Sequence, residues 1–245
     1  MKPRSTKRWL AGCLLLGACL TGQGQMTIPF TFSSLDVAIP DGDTVGVANT
    51  QPVSTGFTTI QSLRVNLKLE GTGSGAFNGD LYVSLSHESG LAVLLGRTGR
   101  RSDNLFGYGD NGFDVTFDDL AVNGDIHNYR LTLSGNHQTA ISGPLTGLWA
   151  PDGRVPENPS NPEQILDTTP RTAFLESFAG LDPNGSWTLF LVDYETGGTS
   201  RLISWGVEIT VPEPNGWVLT GLALFAFAAW RRGWRKTIPT PHHRD

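Results

Sequence analysis

Ser62-Leu63-Arg64-Val65-Asn66-Leu67-Lys68-Leu69-Glu70 alternates aliphatic and polar side chains without a break. Extended backbone turns successive side chains to opposite faces, so a period of two predicts a strand with one face in a core and one in water. Working outward, Leu81, Val83 and Leu85 alternate after Asn78-Gly79-Asp80. Val93 to Gly96, Phe113-Val115-Phe117, Tyr129-Leu131-Leu133, Trp187 to Asp193 and Ile203-Trp205-Val207-Ile209 are further predicted strands. Gly, Asn, Asp and Pro fill the gaps, supplying a positive or a fixed φ where the chain must reverse. No amphipathic helix and no tandem repeat stands out between residues 25 and 210. Short strands separated by turn signals predict an all-β, jelly-roll-like antiparallel β-sandwich. The Pro-rich piece Pro151 to Pro170 is expected to be a long surface insertion, because the strand pattern resumes after it.

The two ends have a different composition. Lys2, Arg4, Lys7 and Arg8 precede the apolar segment Trp9 to Leu20, and small and polar residues follow up to Gln25, as in a secretory signal peptide. Both cysteines, Cys13 and Cys19, lie inside it, so ordinary cleavage leaves no thiol for a disulfide, a nucleophile or a Cys-ligated zinc. Leu16-Gly17-Ala18-Cys19 also fits a lipobox, in which Cys19 would become the lipidated first residue. At the other end Pro212-Glu213-Pro214 leads into the apolar run 217–230, with Trp217 and Trp230 at its two ends, and Arg231, Arg232, Arg235 and Lys236 close it. Prolines stiffen an extended stem, an apolar run enters a bilayer, and cations hold its end on the cytoplasmic side. These three parts in this order resemble the PEP-CTERM sorting signal of exported bacterial proteins. The resemblance implies an exosortase-like processing enzyme and the membrane as partners, Pro212, Glu213 and Pro214 as the recognition element, and a cell-surface or extracellular-matrix destination. The expected organisation is a signal peptide over 1–24, a β-sandwich domain over 25–210, a sorting signal over 211–236 with its transmembrane segment at 217–230, and a cytoplasmic tail over 237–245.

From residue 25 to 210, nine Lys and Arg stand against 21 Asp and Glu, a net charge of −12. Such a surface argues against nucleic acid as a partner and is compatible with calcium, with cationic partners or with solubility outside the cell.

Five stretches of the body resemble the P domain (Homo B domain) of proprotein convertases, in the family's order. They are Ile39-Pro40-Asp41-Gly42-Asp43, Ile60 to Val65, Gly79-Asp80-Leu81-Tyr82-Val83-Ser84-Leu85, Phe178-Ala179-Gly180 leading into Asn184-Gly185-Ser186-Trp187-Thr188-Leu189, and Leu202-Ile203-Ser204-Trp205-Gly206-Val207. The resemblance spans roughly residues 36 to 210 and implies a jelly-roll-like sandwich that accompanies a serine endopeptidase. Two departures stand out. The family often has a His-Thr pair shortly before Gly-Asp-Leu where this chain reads Gly71 to Phe77, and the Pro-rich piece is additional. On their own chemistry, Trp187 and Trp205 are expected in the core, and Asp80 and Asp193 at strand ends are expected to accept loop hydrogen bonds.

Chemistry is sparse. The protease domain of the convertases is absent from this sequence, as are Gly-x-Ser-x-Gly and His-Glu-x-x-His. Gly107-Tyr108-Gly109-Asp110-Asn111-Gly112 fits the letters of a dinucleotide loop, but a strand pattern follows where a helix is needed and Asp110 would repel phosphate, so it is read as a plain loop. His87, in Ser86-His87-Glu88-Ser89-Gly90, is expected to be a solvated hairpin-turn residue. Calcium is the one cofactor singled out, because hard cations gather oxygen ligands and two loops are rich in them. They are Asp41-Gly42-Asp43 and Asp110 to Asp114, and the second is preferred, with Asp110 and Asp114 as the candidate ligands. Phe106, Tyr108 and Phe113 are close enough in sequence to form an aromatic patch. The leading expectation is therefore a non-enzymatic exported protein acted on by an exosortase-type system. The alternatives are an extracellular carbohydrate- or protein-binding module, or an accessory of a serine endopeptidase.

Overall fold

The alternation that opens the sequence reading is strand β4, Ser62–Thr72. Leu63, Val65, Leu67 and Leu69 are buried while Arg64 and Glu70 are exposed. In the computed structural model, which describes residues 25–72, 75–156 and 164–212, it lies at the centre of one of two sheets. The other strands are β1 (Gln25–Phe32), β2 (Val37–Ile39), β3 (Asp43–Val53), β5 (Leu81–His87), β6 (Gly90–Gly96), β7 (Phe113–Phe117), β8 (Leu145–Trp149), β9 (Gly185–Asp193) and β10 (Thr199–Pro212). The first sheet runs β1-β10-β4-β7-β8, with β2 also pairing with β10; the second runs β3-β9-β5-β6. Every pairing is antiparallel except β7 with β8. The body is an all-β sandwich. Its core joins Leu63, Val65 and Val207 of one sheet to Leu81, Val83 and Leu189 of the other, around the fully buried rings of Trp149, Trp187 and Trp205. Both expected core tryptophans also satisfy their indole N–H groups, Trp187 on Pro183 O at 3.0 Å and Trp205 on Asn49 Oδ1 at 2.8 Å.

Two expectations are corrected. Tyr129–Ser134 is a short helix, α1, closed by Gly135 at φ 74° with its N–H on Leu131 O. Period two there had no face to bury: Leu131 and Leu133 are exposed, and the helical turn instead brings Tyr129 and Arg130 together onto Asp110. The beginning of the Pro-rich piece is also not a surface insertion. Asp152 and Gly153 donate N–H bonds to Leu94 O and Val93 O on β6, and Asp152 and Arg154 are buried. An ionic group holds them: Asp152 meets His127 Nδ1 at 2.8 Å and Arg154 Nη1 at 3.1 Å, and Arg154 Nη2 reaches Asp125 at 2.8 Å. Burial pulls the His127 pKa down, but the Asp152 carboxylate beside it more than offsets this and leaves it raised. Burial pushes Asp152 up in turn, and His127 with Arg154 hold it below the usual carboxylate range.

Register fixes the polarity of the sandwich. Gln25 faces Pro212 and Phe32 faces Trp205, so the first and last strands enter and leave at one end, the exit pole. β10 begins at Thr199 at the opposite end, the loop pole, about 40 Å away at roughly 3.3 Å per residue.

Candidate functional site

The loop pole gathers four short connections. The turn before β3 brings Asp41, whose carboxylate accepts the Gly197 N–H at 3.2 Å. A three-residue 3-10 turn, Asn78–Asp80, brings Asp80 to the start of β5. β6 leads into Arg97, and β9 ends at Asp193 before Tyr194 to Gly198. Because β5 and β9 are antiparallel with Leu81 opposite Asp193, the two strand-end carboxylates become neighbours. Gly79 has to be glycine for this turn to fit, since a Cβ there would stand 2.2 Å from Phe106 O and 2.7 Å from Tyr108 N. The Gly-Asp-Leu motif is thus a place where two loops cross.

Asp80 and Asp193 are both buried. Burial, then Glu195 and Asp41, raise Asp80 to about 6 against the opposing pull of Arg97. Burial, then Asp80 and Asp41, raise Asp193 to about 7, although the Glu195 N–H and Arg97 oppose the shift. Arg97 pairs with Glu195 at 2.7 Å, stands 3.9 Å from Asp80 and donates to Gly79 O at 3.1 Å. Two buried atoms of this group have no hydrogen-bond partner, Asp193 Oδ1 and Arg97 Nη1. A notch of about 400 Å³ opens at Asp80, lined by Phe77, Asp80, Phe106, Gly107, Gly109, Glu195 and Thr196. Phe77 is 42% and Phe106 70% exposed, so two aromatic faces border the carboxylates. Chemically, the pair holds a proton near neutral pH, and the notch offers carboxylate acceptors and apolar rings to a ligand.

The residues expected from sequence fall differently. Asp110 lies next to this site but is saturated: Arg130 donates to both its oxygens at 2.7 Å, Tyr129 OH at 2.6 Å and Ile141 N at 3.0 Å. Asp114 sits on β7 with its side chain 58% exposed, 4.0 Å from Lys68 Nζ. Asp110 and Asp114 therefore have separate partners, and among the described residues no group of three or more His, Cys, Asp or Glu side chains is placed to hold a metal ion. Of the aromatic trio only Phe106 is exposed; Tyr108 and Phe113 are in the core, and Phe77 replaces them at the rim. His87 is not solvated. It stacks on Trp187 at 4.2 Å with both ring nitrogens on backbone carbonyls, Ser186 O at 3.0 Å and Asp182 O at 2.6 Å. Asp80 and Asp193 were legible only as strand-end residues; nothing in the sequence marks β5 and β9 as neighbours. Gly107 to Gly112 leads into β7, with no helix after it.

At the exit pole, Pro212 is the exposed last residue of β10. Glu213, Pro214, Arg231, Arg232, Arg235 and Lys236 lie outside the described residues, as do the signal peptide and the run 217–230. Among the described residues no helix is long and apolar enough to cross a membrane.

No family model and no curated protein matches the chain. Among solved structures it is similar to a chain of the Aeromonas sobria serine protease in complex with its chaperone ORF2, at 13% identity and a TM-score of 0.39 over 78% of this chain and 28% of that one. It is similar to the Aeromonas sobria protease alone at 13% identity and a TM-score of 0.38, over 76% and 27% of the two chains. FlhE is similar at 11% identity and a TM-score of 0.33, over 78% of this chain and 99% of its own. The chain spans little more than a quarter of the protease chains it matches.

Proposed function

We propose that this chain is a non-enzymatic exported protein, tethered by its C-terminal run during passage and processed at Pro212-Glu213-Pro214 by an exosortase-type enzyme, leaving a jelly-roll-like, P-domain-like body in the envelope or extracellular matrix. One observation supports it most. β10 is described as far as Pro212, where the recognition element begins, so cleavage beyond that point removes nothing from the described strands of either sheet. Intact-mass measurement of the exported protein tests the reading. A C-terminus near Pro214, and accumulation of the full-length form in Glu213→Ala, are expected; recovery of exported protein still ending at Asp245 would refute it.

The alternative of a binding module is favoured by Phe77 and Phe106 beside Asp80 and Glu195. Aromatic faces next to acceptors suit a polysaccharide or a cationic segment of a protein. Under this reading Phe106→Ala lowers retention on the exported polysaccharide of the producing cell at least tenfold without altering the melting temperature. Equal retention of both forms would remove the notch from consideration. The accessory role beside an endopeptidase rests on the P-domain resemblance alone.

A further inference from the structure

We infer that the exit pole is a membrane-contacting surface, with the Leu120-Ala121-Val122 turn as the element that enters the headgroup boundary. The proposal rests on the reading of residues 217–230 as a membrane segment. Leu120 is 89% and Val122 94% exposed, the two most exposed large apolar side chains among the described residues. Scattered exposed aliphatics are ordinary on a protein surface, so exposure alone argues nothing. Construction and position do.

The turn is rigidly built. Asp118 accepts the Leu120 N–H at 2.9 Å and is gripped by Arg64 Nε at 2.6 Å; Ala121 N–H bonds Asp118 O, and Gly124 N–H bonds Ala121 O, both at 3.0 Å. Asp119 next to it accepts the Leu175 and Glu176 N–H groups at 3.0 and 2.7 Å. The two acids are thus turned into the protein, and the two aliphatic side chains are what the turn presents outward.

Position supplies the partner. Leu120 lines a shallow depression of about 340 Å³ together with Gln25, Thr27, Glu208 and Thr210, so it stands beside the strand ends that lead to the tail. Met26, 39% exposed on β1, belongs to the same end. Only residues 213–216 separate Pro212 from Trp217, and that stretch reaches at most about 17 Å when fully extended. With Trp217 at an interface, the exit pole is held within that distance of the bilayer, and the aliphatic turn is at the face turned toward it. A bilayer boundary buries such side chains without requiring a shaped pocket. Arg64 is the one cation among the residues lining the two depressions at this end, against Asp118, Asp119, Glu176 and Glu208, and the acidic balance favours a zwitterionic over an anionic surface.

The test uses the chain from Gln25 to Asp245, which lacks the apolar leader and with it both cysteines, reconstituted into phosphatidylcholine vesicles. An environment-sensitive fluorophore is attached at Leu120→Cys, Val122→Cys or, as a control at the loop pole, Val45→Cys, whose native side chain is 77% exposed. Expected is a several-fold emission increase with a blue shift at 120 and 122, quenched by spin-labelled lipid, and no change at 45. Flotation with the vesicles while all three labels stay equally wet would overturn the contact and leave the tether intact. Failure of the chain to float at all would overturn the tether reading and the contact with it. Replacing a third of the lipid by phosphatidylglycerol is expected to weaken the signal at 120; a stronger signal would contradict the assigned charge preference.

Discussion

Buried carboxylates flank the turn Asn78–Asp80 on two sides, Asp110 on one and the Asp80–Asp193 pair on the other, and they are treated in opposite ways. Asp110 receives four donors, and Asn78 adds to the same cluster by donating to Tyr129 OH at 3.2 Å and accepting from Gly112 N at 2.7 Å. The Asp80–Asp193 pair shares its space with Arg97, yet leaves one acceptor and one donor unmatched. Desolvation of a polar group is offset only when its hydrogen bonds are replaced, so the saturated Asp110 reads as scaffold, whereas Asp193, buried with one oxygen unmatched, carries a desolvation cost that is not offset. The protein thus anchors α1 with one acid and keeps two others buried with their hydrogen bonding incomplete.

The comparison is tested most harshly at Asp110. Asp110→Ala leaves Arg130 buried beside two tyrosines, and a loss of about 3 to 5 kcal/mol is expected in chemical denaturation. The same loss with millimolar calcium and with chelator is expected, because Arg130 already occupies the carboxylate. A calcium-dependent rise in melting temperature that disappears specifically in Asp110→Asn would restore Asp110 as a ligand and break the contrast.

A gain is expected at the other acid. The folded-state pKa values of Asp80 and Asp193 lie above the ordinary carboxylate value, at about 6 and about 7. Their contribution is therefore fully favourable below about pH 4, where the unfolded chain is also protonated, and is lost as pH rises through 6 to 7. Asp193→Asn removes that penalty and should stabilise the body by about 1 to 3 kcal/mol at pH 8, with no gain near pH 4. A stability difference that does not change between these pH values would mean that the pair carries no shifted titration.

His127 and Asp152 sharpen the contrast from a third group. With His127 raised and Asp152 depressed, stability from their pairing is lost above the folded pKa of His127 and, separately, as pH falls through that of Asp152. Unfolding of His127→Gln should therefore differ most from wild type between about pH 4 and 6.5 and converge on it in alkali. The smallest effect is expected at Asp114, whose exposed side chain faces Lys68 at the sheet surface; Asp114→Asn should change stability by less than about 0.5 kcal/mol.

Alternation carried most of the fold. β4, β7, β9 and β10 were legible because each alternates buried with less buried residues, β5 because its aliphatic residues alternate in sequence although both its faces are covered, and Trp187 and Trp205 were legible as core because their rings bring large apolar area. β3 was not. As an edge strand carrying Gly46, Asn49, Gln51 and Pro52, it needs pairing on one side only, and its composition shows little of the period. α1 was misread because a helix of six residues offers too few turns to display its own period, although Ser134-Gly135 was the available stop signal. His87 deceived for another reason: a turn sequence says nothing about the backbone folded over it, here Asp182 before β9 and Ser186 at its start. The notch depends on one pairing, Leu81 with Asp193, and strand order within a sheet is not written in any local pattern.

The register of β10 also decides how the body bears force. Tension between its two ends, Gln25 and Pro212, would peel the β1–β10 ladder open from the edge, one hydrogen bond after another, at low load. Tension between a ligand gripped at the notch and the tail at Pro212 runs instead along the length of β10, where the bonds to β1 and β4 are strained together in shear and give way only together. On that geometry the domain is expected to yield easily when pulled by Gln25 and Pro212 and to resist when pulled between the notch and Pro212.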